Sequence, residues 1–282
     1  MSSAQLFALA AIGLWGTLAL LSVKLAAVPP LLLVACALLI GSVCGLPYWR
    51  QWRVPLSTLA LGCYGLFGYH FALIMAFRHA PAIEANLINY LWPLLIVLLS
   101  PLLLPGVQLG MRHIVGGLLG LSGCVLVFAG RGLSLGGGQW LGYGLALAAA
   151  LMWSSYSLLT RRVAPFPTGA IGGFCLVSGL LALLAHLALE PAYRPSGQEW
   201  SMLLLLGLGP MGAAFFLWDA ALKRGDPRSI GTLAYLTPLL STGLLALFGG
   251  GRLGLGSALA LGLILTGAWL GRERRVAVAS AA

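Results

Sequence analysis

The sequence predicts an all-α integral membrane protein with ten transmembrane helices, arranged as two inverted five-helix repeats around a central cavity. Three observations predict it. Of the 282 residues, 60% are hydrophobic and 8% charged, too little charged surface to cover a soluble globule of that size. Apolar runs recur from end to end, each near the roughly 20 residues a helix needs to cross the hydrocarbon core. The second half of the chain also repeats the pattern of the first.

The predicted spans are Gln5 to Val28, Pro30 to Tyr48, Ser57 to His79, Pro81 to Leu104, Met111 to Gly130, Gln139 to Thr160, Pro167 to Leu189, Trp200 to Leu222, Arg228 to Gly249 and Leu253 to Gly271. The first has no basic n-region in MSSAQ and has a counterpart later in the chain, so it reads as a retained helix rather than a signal peptide. The connections are short and leave no room for a soluble domain. The halves run over 1–130 and 139–275, joined by a loop at 131–138 and followed by a tail at 276–282.

Sliding the chain on itself aligns GLWGTLALLSVKLAAVPP with ALMWSSYSLLTRRVAPFP, setting Trp15 over Trp153, Lys24 over Arg162 and Pro29 over Pro167. Further on, AFRHAPAIEANLINYLWPLL aligns with ALKRGDPRSIGTLAYLTPLL, setting Arg78 over Lys223, Tyr90 over Tyr235 and Pro93 over Pro238. The last span of each half is rich in glycine, at Gly116, Gly117, Gly120 and Gly123 and again at Gly254, Gly256, Gly262 and Gly267. Five spans per half is an odd number, so the second half enters the membrane from the opposite side. Such a repeat favours a central site that opens to either side by rocking one half against the other.

A net charge of +10 does not signal nucleic acid here, because the basic residues fall singly or in pairs in short loops rather than along one face. Their placement concerns orientation. With a cytoplasmic N-terminus, only Lys24, Arg78, Arg131, Arg194 and Arg252 of the 16 basic residues lie outside, which puts both termini inside. Cys36, Cys44, Cys63, Cys124 and Cys175 all lie within spans without metal-ligand spacing, and read as small packing residues. Neither a metal nor a cofactor is expected.

Ten helices as five plus five, a Trp in the first helix of each half and a proline-bearing fourth helix resemble the drug/metabolite transporter superfamily, and within it the EamA-type exporters, over essentially the whole chain. The NYLWPLL stretch and the mid-helix His70 look like the aromatic amino acid exporter branch. The resemblance implies a basket of helices one to four and six to nine around a central cavity, with helices five and ten peripheral.

The residues themselves point the same way. Asn86, Tyr90, Pro93 and Val97 recur at helical spacing on one face of the fourth span, with Asn89 flanking it. Polar side chains there face other helices or a wet cavity, because an unsatisfied amide in hydrocarbon costs several kcal/mol. Helix-to-helix hydrogen bonding is the alternative to a cavity role. Pro93 lacks an amide hydrogen and crowds the carbonyl four residues back, so it should kink its helix, and Pro238 likewise; these are hinges or static bends.

Trp49, Trp52, Trp140, Trp200 and Trp269 lie near span ends and read as an interfacial belt. Trp15, Trp92 and Trp153 lie mid-span, where each indole N–H needs a partner; they are aromatic walls of a site or bulky core fillers. Gly62, Gly65 and Gly68 mark the close-packing face of the third span, and His70 points away from it, toward a cavity rather than lipid. Asp219 precedes Lys223 by one helical turn and reads as an intrahelical pair. Glu84 sits in the first turn after Pro81, near Arg78.

These readings combine into an inner-membrane exporter of bacterial type for amino acids or related small metabolites, aromatic ones foremost, acting by alternating access as a monomer in the bilayer. The expected substrate contacts are Trp15, His70, Asn86, Tyr90, Trp92 and Trp153, and the expected hinges are Pro93 and Pro238. A multispanning membrane enzyme would need a nucleophile with its base, paired carboxylates or a metal cluster inside the spans, and the sequence has no HExxH, GxSxG or CxxC. A passive channel should show a polar ring or filter loop, and a scaffold has no need of mid-membrane aromatics.

Overall fold

The computed structural model describes residues 2–129, 139–248 and 255–271. The expected connecting loop at 131–138, the tail at 276–282 and Arg131, Arg252, Arg272, Arg274 and Arg275 lie outside the described residues. All regular structure among the described residues is helical. In chain order the α-helices are α1 (Ser3–Gly16), α2 (Leu18–Lys24), α3 (Pro30–Ser42), α4 (Leu56–Cys63), α5 (Tyr69–His79), α6 (Ala82–Asn89), α7 (Trp92–Leu103) and α8 (Met111–Ala129). They continue as α9 (Trp140–Leu159), α10 (Ile171–Leu189), α11 (Gly197–Leu208), α12 (Ala214–Arg224), α13 (Pro227–Leu233), α14 (Leu236–Phe248) and α15 (Leu255–Gly271).

Local sequence sets the starts. Ser2 and Gln5 form a capping box on α1, and Ser196 and Glu199 form another on α11. Pro30 opens α3, while Asp226 caps α13 by accepting from the Arg228 N–H at 2.9 Å with Pro227 behind it. Six stretches are long and apolar enough to cross a membrane: Ser3–Lys24, Pro30–Trp52, Leu56–His79, Glu84–Leu103, Thr168–Leu189 and Gly197–Arg224. Met111–Leu126 and Ala258–Gly271 are shorter apolar helices. Of the two remaining expected spans, α9 is diluted by Tyr143, Trp153, Tyr156 and three serines, and α13–α14 is split at Ala234.

The interruptions come in matched pairs. A π-helical turn at Tyr64–Gly68 joins α4 to α5, and another at Gly209–Ala213 joins α11 to α12, in the register that sets Pro93 over Pro238. The fourth expected span is not one continuous helix: it breaks between Asn89 and Trp92, with Tyr90 at ψ 6°. The matching break lies at Ala234–Tyr235. Each break falls about one turn before its proline, where the ring crowds the carbonyl four residues back.

Close packing relies on glycine. Gly62, Gly65 and Gly68 receive Phe174, Tyr156 and Met152; a Cβ on Gly65 would lie 2.1 Å from the Tyr156 ring. The pair α8–α15 packs backbone on backbone, with a Cβ on Gly267 placed 2.5 Å from the Gly116 carbonyl. Trp52 departs from the expected belt: its indole packs on Gly172, half-buried beneath α10, because glycines leave a slot there.

Two polar ties mark the ends of the bundle. At one end Glu190 accepts from the Leu31 and Leu32 N–H groups, from His186 Nδ1 at 2.9 Å and from Arg78 at 2.7 Å. Arg78 therefore pairs with Glu190, which the fold brings close. At the other end Asp219 accepts from Lys223 at 2.7 Å and from Thr168 at 2.7 Å, while Lys223 also donates to the Phe166 carbonyl. Arg224 stacks on Phe7 and Arg161 donates to the Gly225 carbonyl, so the N-terminal end of α1 belongs to this second end.

Candidate functional site

Trp15 lies at the end of α1, just before the break at Thr17, and is 7% exposed. Its indole N–H donates to the Pro210 carbonyl at 3.0 Å, a group on the π-helical turn between α11 and α12. Trp92 opens α7 and Trp153 lies in α9, both buried. Their rings meet that of Trp15 edge-on at 6.2 and 5.8 Å, the arrangement favoured by ring quadrupoles.

Two aromatics missing from the sequence reading complete the cluster. Trp218 of α12 lies 5.1 Å from Trp15 and 5.5 Å from Trp92, and its N–H donates to Ser157 Oγ at 3.1 Å. Phe215, one turn earlier, stacks near Trp153 at 5.7 Å and near His70 at 6.1 Å. The repeat register offered a signal, since Phe215 falls over His70. The adjoining Asp219–Lys223 pair instead drew attention to that segment as a helix end.

On the open side of this cluster lies a cavity of about 350 Å³, within the range of small-molecule pockets. Trp15, His70, Asn86, Tyr90, Trp92 and Trp153 all line it, so the structure brings the six expected contact residues onto one wall system. Of the two expected hinges Pro238 lines it, whereas Pro93 faces α13, its carbonyl near Gly231. Tyr69, Asn89, Phe215, Thr237 and Ser241 line it too. Asn89 donates to the Tyr69 hydroxyl at 3.2 Å. Val97, expected on the same stripe as Asn86 and Tyr90, is fully buried in the core, because the break before Trp92 turns α7 relative to α6.

His70 has its Nδ1 2.5 Å from the Leu66 carbonyl on the first π-helical turn, and its ring meets Tyr69 edge-on at 4.8 Å. Among the described lining residues none is Asp, Glu, Lys or Arg. Ser22 and Phe77, at the Glu190 end, are exposed, whereas the tryptophans are buried. The cavity thus opens toward the Glu190 end and is floored by indoles toward the Lys223 end. Among the described lining residues none comes from α3 or α10, and these two helices pack on each other behind the wall.

A model of the EamA-like transporter family matches residues 2–129 and 140–271. A protein from Ancylobacter novellus named aromatic amino acid exporter YddG is 44% identical over 95% of this chain and 96% of its own length. The proteins of that name from Salmonella typhimurium and Escherichia coli are each 29% identical over 72% of this chain, and 72% and 71% of theirs. A solved crystal structure at 42% identity superposes with a TM-score of 0.92, covering 96% of each chain.

Proposed function

The chain belongs to the EamA-like transporter family, and from that premise we propose that it exports aromatic amino acids across a bacterial inner membrane by alternating access. One observation carries the reading: a cavity of about 350 Å³ whose floor is three indoles and a phenyl ring, and whose rim is hydroxyl, amide and imidazole. An apolar planar ring fits the floor, and a zwitterionic head fits the rim. The Ancylobacter novellus relative, matched over 95% of this chain, carries that substrate class in its name.

Ten spans as two inverted five-helix repeats are the architecture that goes with this reading. Support comes from the two matched stretches, the matched π-helical turns and the matched breaks before Pro93 and Pro238. Arg78 and Lys223 hold the same register, yet they tie opposite ends of the bundle, the mark of inverted orientation. Arg161, Arg224 and Arg228 lie at the Lys223 end, which supports both termini being cytoplasmic and the cavity opening outward. The broken helices at Tyr90 and Ala234 are the hinges, and closing them over the cavity while parting the indole floor exposes the site to the other side.

The test is efflux of labelled phenylalanine and tryptophan from proteoliposomes, with and without a pH gradient. Saturable efflux of both, absent from empty liposomes, is expected. Efflux of small aliphatic amino acids at the same rate would remove the aromatic assignment. A C-terminal reporter fusion active only outside the cell would overturn the orientation.

A further inference from the structure

Resting on the exporter reading above, we propose that His70 recognises the ammonium group of the substrate, accepting its hydrogen bond at Nε2, rather than the carboxylate.

The argument starts at the π-helical turn. A backbone carbonyl can only accept, so the proton between Leu66 O and His70 Nδ1, 2.5 Å apart, resides on Nδ1. In the neutral imidazole the second nitrogen then carries the lone pair. A half-turn of the ring would put Cδ2 where Nδ1 now donates and would lose that bond, while Tyr69 meets the ring edge-on at 4.8 Å and Phe215 lies at 6.1 Å. With Nδ1 engaged in its own helix, Nε2 is the nitrogen left for a ligand in the cavity that His70 lines. A lone pair there takes an N–H of an ammonium group and repels a carboxylate.

A second observation agrees. Among the described lining residues there is no Asp or Glu, so no carboxylate is present to pair with either an imidazolium or a substrate cation. What surrounds His70 instead is aromatic: Phe215 packs against it, with Trp153 5.7 Å beyond and Trp15 at 6.4 Å from the same phenyl ring. Ring faces attract a desolvated cation. The substrate carboxylate is left to N–H and O–H donors on other walls, among them the Asn86 amide.

The matched π-helical turns act alike in this respect. The first holds His70 through the Leu66 carbonyl, and the second holds Trp15 through the Pro210 carbonyl. Each turn thus positions one side chain of the cavity.

The test is calorimetric binding of phenylalanine, phenethylamine and 3-phenylpropanoate to the detergent-purified protein and to His70→Ala. Loss of a hydrogen bond to a charged group weakens binding by about 10-fold to 100-fold. That loss is expected for phenylalanine and phenethylamine, with 3-phenylpropanoate unchanged. Weakening of 3-phenylpropanoate, equal weakening of all three, or no weakening overturns the assignment. Failure of the unsubstituted protein to bind any of the three overturns the aromatic exporter reading itself. Should His70→Ala not fold, the unsubstituted protein labelled with ¹⁵N in its imidazoles decides the matter. An Nδ1–H tautomer whose Nε2 resonance moves with phenethylamine and not with 3-phenylpropanoate supports the proposal, and any other pattern refutes it.

Discussion

The imidazole of His70 and the phenyl ring of Phe215 lie 6.1 Å apart, and the two residues hold the same place in their halves of the chain. One supplies a polar ring where the other supplies an apolar one, so the cavity is lopsided. Replacing His70 with Phe makes the two positions alike while keeping a ring of similar size. The variant also loses the bond to the Leu66 carbonyl and should melt modestly below the parent, while its efflux of phenylalanine per folded molecule should fall about tenfold, the equivalent of one hydrogen bond to a charged group. Unaltered efflux would separate His70 from the substrate.

Trp15 and Trp200 offer a contrast within one residue type. The Trp15 indole is buried and donates to the Pro210 carbonyl, whereas Trp200 is 44% exposed. Trp15→Phe strands a buried acceptor, a loss of about 1–3 kcal/mol, and it also trims the cavity floor. Both thermal stability and export should drop. Trp200→Ala should leave export near the parent level in the same proteoliposome assay.

Composition and periodicity made the helices legible, and the prolines made the breaks legible to within a turn. Gly62, Gly65 and Gly68 announced a close-packing face that Phe174, Tyr156 and Met152 fill. What stayed hidden were contacts between distant segments. Arg78 stands near Glu84 in the sequence, and only the fold adds Glu190 as its ion-pair partner. Nothing local in the sequence distinguishes Trp218 from any other core filler; only the approach of α1 and α7 puts two more tryptophans against it.

The prolines behave differently in the structure and should differ in function. Pro238 lines the cavity and Pro93 does not. If both breaks serve as hinges, Pro93→Ala should still reduce export far more than it reduces folded yield, because restoring an intrahelical hydrogen bond straightens α6 onto α7. Parallel losses of yield and export would make the bend a packing feature.

Glycine substitutions should split by location. Gly65→Ala drives a methyl into the Tyr156 ring, 2.1 Å away before relaxation, and overpacking of this kind costs about 1–3 kcal/mol. Gly13 has nothing within 4 Å of an added Cβ and lies inside α1. Gly13→Ala should therefore raise stability, by about 0.5–1 kcal/mol from the helix backbone alone. Thermal unfolding in detergent, followed by tryptophan fluorescence, reads both shifts, and equal melting temperatures would contradict the packing described for α4–α5 against α9.

Glu190 is the joint between the halves at the end where the cavity opens. Its side chain is 1% exposed and meets two kinds of partner. The N–H groups of Leu31 and Leu32 at 3.0 and 3.2 Å belong to the first turn of α3, and His186 and Arg78 supply the rest. The cap and the ion pair predict different rankings of variants. Arg78 is 37% exposed on its side chain, so solvent screens its share, and Arg78→Ala should cost no more than about 1 kcal/mol. Glu190→Ala leaves two helix N–H groups and a histidine without their acceptor, and breaking a buried charged network of this sort costs about 3–5 kcal/mol. Glu190→Gln keeps one acceptor oxygen and should fall between. Melting temperatures in that order, measured in one detergent, would identify Glu190 as a cap that fastens α3 to the end of α10. If Arg78→Ala melted as low as Glu190→Ala, the ion pair would be the joint and the cap incidental.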